Sequence, residues 1–170
     1  MGLASAGGNS EAYAGILYYL LAYTLMTSGA FAMLVYASSG GKDVESLDDV
    51  RGLAWKKPAV GIGMAIFMFS MAGIPLTAGF MGKYFIFANT IAAGGRYTIL
   101  GIIGIVMSII GAYYYLRVVA YTYFREPDDK PVAGKEDWGL KFALSLTVFG
   151  TVFLGIFPQS FYNAAEQSVQ

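Results

Sequence analysis

The side chain with the greatest capacity for chemistry in this sequence is a single lysine, Lys83, inside a long apolar stretch. No Asp, Glu, Lys, Arg or His occurs from residue 58 to 82 or from residue 84 to 95. A lysine at the centre of a bilayer costs about 2.5–3.5 kcal/mol on insertion scales, and such residues usually mark functional sites. Lys83 is therefore predicted to be a buried functional residue.

The alternative is that Lys83 extends its charge to the lipid headgroups or simply packs in the interior. Along a helix, the distance from Lys83 to the Gly94-Gly95 turn is roughly 17 Å. A lysine side chain reaches only about 6 Å along its four-carbon stem. The favoured prediction is thus an amine too deep to reach the headgroups.

A second group of polar side chains lies further along the chain, at Tyr113, Tyr114, Tyr115 and Arg117. Arg117 is roughly 10 Å from the end of its apolar segment at helical rise, so its guanidinium can reach the membrane surface. Aromatic residues and arginine near a helix end usually form an interfacial anchor. A role for these four residues in a polar pathway is the alternative.

These residues must be positioned by helices that cross a membrane. Charged residues make up 13% of the chain and apolar residues 56%, against about 25% and 45–50% in soluble domains. Each of four segments has about the 20 apolar residues that cross a bilayer. They are residues 12–41, 58–95, 97–124 and 139–157. The predicted fold is an all-α, polytopic transmembrane bundle.

The second segment is too long for one straight helix, and its middle contains Gly73, Ile74 and Pro75, followed by Gly79. Proline removes a backbone donor and glycine weakens a helix, so a break is predicted near residues 72–79. Two arrangements are then possible: one discontinuous helix that crosses once, or two short helices that cross twice.

Loop charge favours a single crossing, because cytoplasmic loops concentrate Lys and Arg. With one crossing, the basic loops 42–57 and 125–138 share a side, with Arg96 and the C-terminus opposite. Lys42, Lys130 and Lys135 belong to these loops. The sequence therefore predicts four spans, two cytoplasmic loops, and both ends of the chain on the non-cytoplasmic side.

A helix break frees backbone groups, which are tolerated at depth only where they are buried in protein or line a water-filled cavity. Hydration is therefore expected beside Lys83, and an amine between hydrocarbon and water can load and release a proton. No Asp or Glu occurs from residue 58 to 124. Any carboxylate partner of Lys83 is expected from outside this stretch.

The chain contains no Cys and no His, so it offers no thiolate or imidazole for an iron–sulfur cluster, a haem or the usual zinc site. Acidic and basic residues balance at 11 each, which gives no bulk attraction to nucleic acid. The sequence thus predicts no cofactor, no metal and no redox centre in this chain.

Two stretches closely resemble the antiporter-like membrane subunits of respiratory complex I, particularly those of the subunit N type. They are residues 69–84 (FSMAGIPLTAGFMGKY) and 108–119 (SIIGAYYYLRVV). Residues 18–23, 29–31 and 48–53 add to the likeness. The resemblance covers nearly the whole chain but only the last four helices of that family.

The resemblance implies a family fold of about fourteen helices with two inverted repeats, each containing a broken helix. The lysine of the second proton half-channel falls on Lys83, and the break falls on Gly73–Gly79. The acidic and basic residues of the first half-channel and of the central connection lie on helices that this chain lacks. A fragment or one piece of a split subunit is therefore expected.

The resemblance further implies a subunit of the bacterial proton-translocating NADH:quinone oxidoreductase, in the inner (plasma) membrane. NAD, FMN, iron–sulfur clusters and quinone would then belong to other subunits. The implied partners are the lipid bilayer, neighbouring antiporter-like and other membrane subunits, and the missing N-terminal part of this subunit. Lys83 would be the proton relay.

Two alternatives remain beside this hypothesis. One is a subunit of a related multi-subunit cation/proton antiporter or membrane hydrogenase, whose antiporter-like subunits share the broken-helix lysine. The other is a structural membrane scaffold without transport of its own, in which Lys83 pairs with a carboxylate of a neighbour.

Overall fold

The computed structural model describes residues 10–38, 44–127 and 138–168, and within these ranges every regular element is helical. The helices are α1 (Ser10–Ser38), α2 (Leu53–Lys56), α3 (Pro58–Ala72), α4 (Ala78–Ala92), α5 (Arg96–Phe124), α6 (Trp138–Ile156) and α7 (Pro158–Gln167). A short 3₁₀ turn, Leu47–Val50, precedes α2. The all-α fold class predicted from composition is confirmed.

The second apolar segment is interrupted where the sequence predicts a break, because α3 ends at Ala72 and α4 begins at Ala78. Gly73 closes α3 with a φ of 86°. Glycine adopts this left-handed conformation without a steric penalty and commonly ends helices in this way. Leu76 has a φ of 70°, which is rare for a residue with a side chain and marks local backbone strain.

Thr77 starts α4 as its N-terminal cap. Its Oγ1 accepts a hydrogen bond from the Phe80 N–H at 3.3 Å and donates one to the Ile74 carbonyl at 2.7 Å. Pro75 lies between the two helices and needs no amide partner. Gly79, predicted to be part of the break, lies instead in the first turn of α4.

The two halves of the broken segment, α3 and α4, lie end to end along α1 and run in the opposite direction. Successive contacts along α1 pair Gly15 with Phe85, Met26 with Ser70, and Met33 with Gly63. The single 29-residue helix α1 is therefore matched in length by α3 and α4 together. Two apolar clusters fill this contact, one around Phe67 and the other around Tyr18.

α5 packs along the other side of the broken segment, also in the opposite direction. Its Gly101 contacts Thr90 of α4. Near the other end of α5, the Tyr121 carbonyl accepts a hydrogen bond from the Gly52 N–H at 3.0 Å. Small residues allow helix backbones to approach closely in membranes, where apolar surface alone provides no drive for association.

The described parts of the two predicted loops meet at one end of the bundle. The Trp55 indole N–H donates to the Tyr123 carbonyl at 2.9 Å, and Arg51 Nε donates to the Glu126 carbonyl at 3.0 Å. These bonds place the 3₁₀ turn and α2 against the end of α5. Lys42, Lys130 and Lys135, on which the loop-charge prediction also depends, lie outside the described residues.

α6 returns along α1, and the buried Tyr18 hydroxyl donates to the Leu154 carbonyl at 2.7 Å. The predicted fourth segment agrees with α6 to within a residue at either end. The last helix, α7, was not predicted from the sequence. It begins at Pro158 and returns to the start of α1, where the Tyr162 hydroxyl donates to the Glu11 carbonyl at 3.0 Å.

Three helices of the described part are long and apolar enough to cross a membrane: α1, α5 and α6. α3 is apolar but has only 15 residues. The fourth predicted crossing, by α3 and α4 together, stays a prediction. Their end-to-end arrangement is the one that a discontinuous span requires.

Candidate functional site at the helix break

The amine of Lys83 lies at the carboxyl end of α3, across the break in the segment. Lys83 Nζ donates to the Met71 carbonyl at 2.7 Å and is 3.5 Å from the Ala72 carbonyl. The last carbonyls of a helix have no partner within the helix and carry its negative dipole end. In the described part of the chain, Lys83 is thus held by backbone oxygens.

Buried contacts hold the carboxyl end of α3 against the amino end of α4. The Ser70 hydroxyl is fully buried, accepts a hydrogen bond from the Gly79 N–H at 3.0 Å, and contacts the Met26 sulfur at 2.8 Å. Ser70 therefore satisfies one of the four amide groups that the start of α4 leaves without a helical partner.

Two glycines allow this close approach. A Cβ on Gly79 would lie 1.9 Å from the Ser70 carbonyl oxygen, and a Cβ on Gly155 of α6 would lie 2.5 Å from the Leu76 carbonyl oxygen. Both obstacles are backbone atoms, which cannot turn aside as a side chain can. The break is therefore a closely packed joint between α3, α4 and α6.

Lys83 lies near mid-length of the helices around it. At its level, α5 presents Ser108, which lines two cavities together with Lys83. At helical rise, Ser108 is roughly 18 Å from the start of α5 and roughly 24 Å from its end. The depth of Lys83 in the membrane stays a prediction, which this register would satisfy if α5 spans the bilayer.

A cavity opens on each side of Lys83. The first, here called the tyrosine cavity, has a volume of about 410 Å³ and includes Tyr19, Tyr23 and Tyr115 in its lining. The second, here called the break cavity, has a volume of about 440 Å³ and includes Gly73 and Tyr84. Both volumes are large enough for several waters, and hydroxyl groups supply the polar partners that buried water needs.

The structure separates the four residues of the predicted polar pathway. Tyr115 faces the tyrosine cavity together with Lys83. Tyr113 and Tyr114 are more than 60% exposed, and the exposed Arg117 guanidinium lies 5.7 Å from the centre of the Tyr121 ring. Among the described residues, Tyr115 is thus the only one of these four that shares a cavity with Lys83.

Ser70, Tyr19 and Tyr23 were not predicted from the sequence as site residues. The available signal for Ser70 was a hydroxyl side chain in an otherwise apolar run, nine residues before Gly79 in the first turn of α4. Tyr19 and Tyr23 lie on α1, far from Lys83 in sequence, and their four-residue spacing is equally typical of a packed helix face.

The described residues contain no group of three His, Cys, Asp or Glu side chains that could hold a metal ion. The chemistry available at this site is therefore that of an amine, hydroxyl groups and backbone carbonyls. The amine and the hydroxyl groups can bind and pass protons between waters, whereas the carbonyls only accept hydrogen bonds.

Residues 1–111 match the family model described as NADH:quinone oxidoreductase/Mrp antiporter, TM. A curated relative from Trichlorobacter lovleyi, named NADH-quinone oxidoreductase subunit N, is 39% identical over 170 residues, covering 97% of this chain and 34% of its own length. A second relative, from Methylovorus glucosotrophus and with the same name, is 40% identical over 159 residues. That match covers 93% of this chain and 32% of the relative. The chain thus spans about a third of the length of the curated relatives it matches.

A solved structure described as respiratory complex I from Thermus thermophilus with bound aureothin contains a chain with the same fold. The TM-score is 0.80 at 32% sequence identity, and the match covers 96% of this chain and 36% of the other. The helical arrangement around Lys83 is therefore similar to that of part of a respiratory complex.

Proposed function

The chain belongs to the NADH:quinone oxidoreductase/Mrp antiporter membrane family, and on that premise we propose that it forms the C-terminal third of a subunit N of bacterial respiratory complex I. In that complex it contributes a half-channel to proton translocation driven by NADH:quinone oxidoreduction. The names of its relatives support this assignment. In this proposal NAD, FMN, iron–sulfur clusters and quinone belong to other subunits. This chain has no Cys or His that could ligate an iron–sulfur cluster.

One observation carries the relay part of the proposal. The only lysine of the broken segment between residues 58 and 95 places its amine on the free carbonyl end of α3, between two cavities. A side chain kept merely for packing would not need an amine that reaches the free carbonyls of α3 and borders a cavity lined by three tyrosines.

The carboxyl end of α3 attracts the protonated form of Lys83 more strongly than the neutral form. A protonated amine is attracted by the carbonyls and by the partial negative charge at the helix end, an effect typically worth about 0.3–1 kcal/mol and up to about 2 in partly buried geometries. A neutral amine loses most of this attraction and is freer to turn toward the tyrosine cavity. The break thus supplies a holding position for the loaded relay.

The proton path in this proposal runs through the tyrosine cavity, where Tyr19, Tyr23 and Tyr115 can anchor a chain of waters. Tyr113, Tyr114 and Arg117 face away from this cavity in the chain alone. They serve either as an interfacial anchor or as the lining of a pathway completed by the rest of the subunit.

A carboxylate partner for Lys83 must come from outside residues 58–124, which contain no Asp or Glu. We assign it to neighbouring antiporter-like subunits or to the remaining part of this subunit. These proteins, the other membrane subunits of the complex and the lipid bilayer are the proposed partners.

Co-purification tests which assembly the chain belongs to. When the tagged full-length subunit is isolated from membranes in mild detergent, the eluate is expected to oxidise NADH with quinone as acceptor. The family description also names an Mrp-type antiporter, which is the alternative function. An eluate that contains only further membrane subunits and catalyses sodium/proton exchange in vesicles would establish that alternative.

Labelling of introduced cysteines tests the proposed orientation, since the chain has no native cysteine. In right-side-out membrane vesicles, a membrane-impermeant maleimide is expected to label Arg96→Cys but to label Lys56→Cys and Arg125→Cys only after permeabilisation. If α3 and α4 crossed the membrane separately, Arg96→Cys and Lys56→Cys would be labelled from the same side.

A further inference from the structure

A third cavity lies on a different face of the bundle, between α1, α3 and α6, and is here called the α6 groove. Its volume is about 740 Å³, and most of its lining is apolar, including Met33, Val60, Ile66, Val148 and Val152. Ile62 and Phe149 also line it and are 55% and 66% exposed, so the groove is open at the surface of the chain.

The polar groups of the α6 groove are concentrated at one end. Lys141 and Ser145 lie in the first turns of α6, and Tyr36 lies in the last turn of α1. The Lys57 ammonium lies 5.1 Å from the centre of the Tyr36 ring, which places a second positive charge beside this end.

This basic end coincides with the level at which α1 ends and α3 and α6 begin. α1 ends at Ser38, α3 begins at Pro58 and α6 begins at Trp138. Trp55 and Trp138 are 72% and 82% exposed here. Exposed tryptophans at helix ends typically form the aromatic belt at the headgroups.

The length of the α6 groove fits one acyl chain of a phospholipid. From Lys141 to Val152 the lining extends roughly 17 Å along α6, close to the depth of one leaflet, which is half of the ~30 Å hydrocarbon core.

We propose that the α6 groove binds an anionic phospholipid, with one acyl chain along α3 and α6 and the phosphate beside Lys57 and Lys141. Basic pockets between transmembrane helices on the cytoplasmic side bind the head groups of anionic lipids. The proposal depends on the chain being in a membrane and not on the relay role of Lys83. Its test can therefore fail or succeed separately from proton translocation.

Photocrosslinking identifies the occupant. A photoreactive amino acid replaces Phe149 in the full subunit, and the purified complex is reconstituted in vesicles of phosphatidylcholine and phosphatidylglycerol in equal amounts. After illumination, mass spectrometry of this subunit is expected to show a phosphatidylglycerol adduct in clear excess over phosphatidylcholine. A crosslink to a neighbouring subunit would overturn the proposal, since a protein would then cover the groove.

Charge variants in the same photoreactive background test the headgroup site. Lys57→Gln combined with Lys141→Gln is expected to lower the phosphatidylglycerol preference about 20- to 30-fold, because each basic side chain contributes several-fold to anionic lipid binding. The control is Lys56→Gln combined with Arg125→Gln, which removes the same charge from the same end of the bundle outside the groove lining. An equal loss in the control, or an unchanged preference in the first pair, would overturn the proposal.

Discussion

Replacing Lys83 with methionine is expected to leave an assembled complex whose NADH-driven proton uptake into vesicles falls at least about tenfold. A positioned proton-transfer group typically contributes 10²–10⁴-fold to the step it serves, and methionine fills similar space but carries no proton. The loss of the bond to the Met71 carbonyl is a smaller effect, because waters in the adjoining cavities can replace the ammonium as the donor.

A second variant separates proton relay from a structural role. Lys83→Arg keeps a positive charge and hydrogen-bond donors at the α3 carbonyls, but a guanidinium does not release its proton. The complex with Lys83→Arg should therefore assemble normally and still fail to pump. Lys56→Met, in the loop region, is the matched control and should pump normally.

Two results would contradict the relay. An assembled Lys83→Met complex with undiminished proton uptake would remove Lys83 from the mechanism. Full pumping by Lys83→Arg, together with failed assembly of Lys83→Met, would instead support the structural scaffold alternative, in which Lys83 supplies only a positive charge. Blue-native gels measure assembly, and a pH-sensitive dye inside the vesicles measures proton uptake.

Replacing Gly79 with alanine is expected to disrupt the joint at the helix break and to lower the amount of assembled complex several-fold. The added methyl carbon would lie 1.9 Å from the Ser70 carbonyl oxygen and 2.8 Å from the Ser70 carbonyl carbon. To remove this clash the ends of α3 and α4 must move apart, which would lengthen or break the hydrogen bond from the Gly79 N–H to the Ser70 hydroxyl. Overpacking typically costs about 1–3 kcal/mol, and a backbone obstacle favours the upper end of that range.

Gly111→Ala is the matched control, since a Cβ at Gly111 would meet no atom of the described residues within 4 Å. Alanine also favours a helix over glycine by roughly 1 kcal/mol in a helix interior, so this variant should assemble at least as well as the parent. Blue-native gels and the thermal midpoint of the purified complex are the measurements. Normal assembly and an unchanged thermal midpoint for Gly79→Ala would contradict the prediction, because the ends of α3 and α4 could then move apart without loss of stability.

The break and the isolated lysine were predictable from the sequence because each depends on local chemistry. Gly73 adopts a positive φ and Pro75 cannot continue a hydrogen-bonded turn, so the interruption follows from residue types at neighbouring positions. The length and apolar composition of the segments likewise predicted α5 and α6 to within one residue and the start of α1 to within two. The predicted end of the first segment, residue 41, lies outside the described residues. Gly79 was assigned to the break for its flexibility, whereas the structure places it where two backbones touch.

The sequence by itself thus determined an all-helical membrane chain, the place of its helix break and the isolation of Lys83. Only the tertiary structure decided that the Lys83 amine reaches across the break to the Met71 carbonyl, and that Tyr115, unlike Arg117, shares a cavity with it. The physical reason is that lipid is as apolar as the helix surfaces. Hydropathy therefore cannot tell which faces meet; close-packed glycines and buried hydrogen bonds decide it instead.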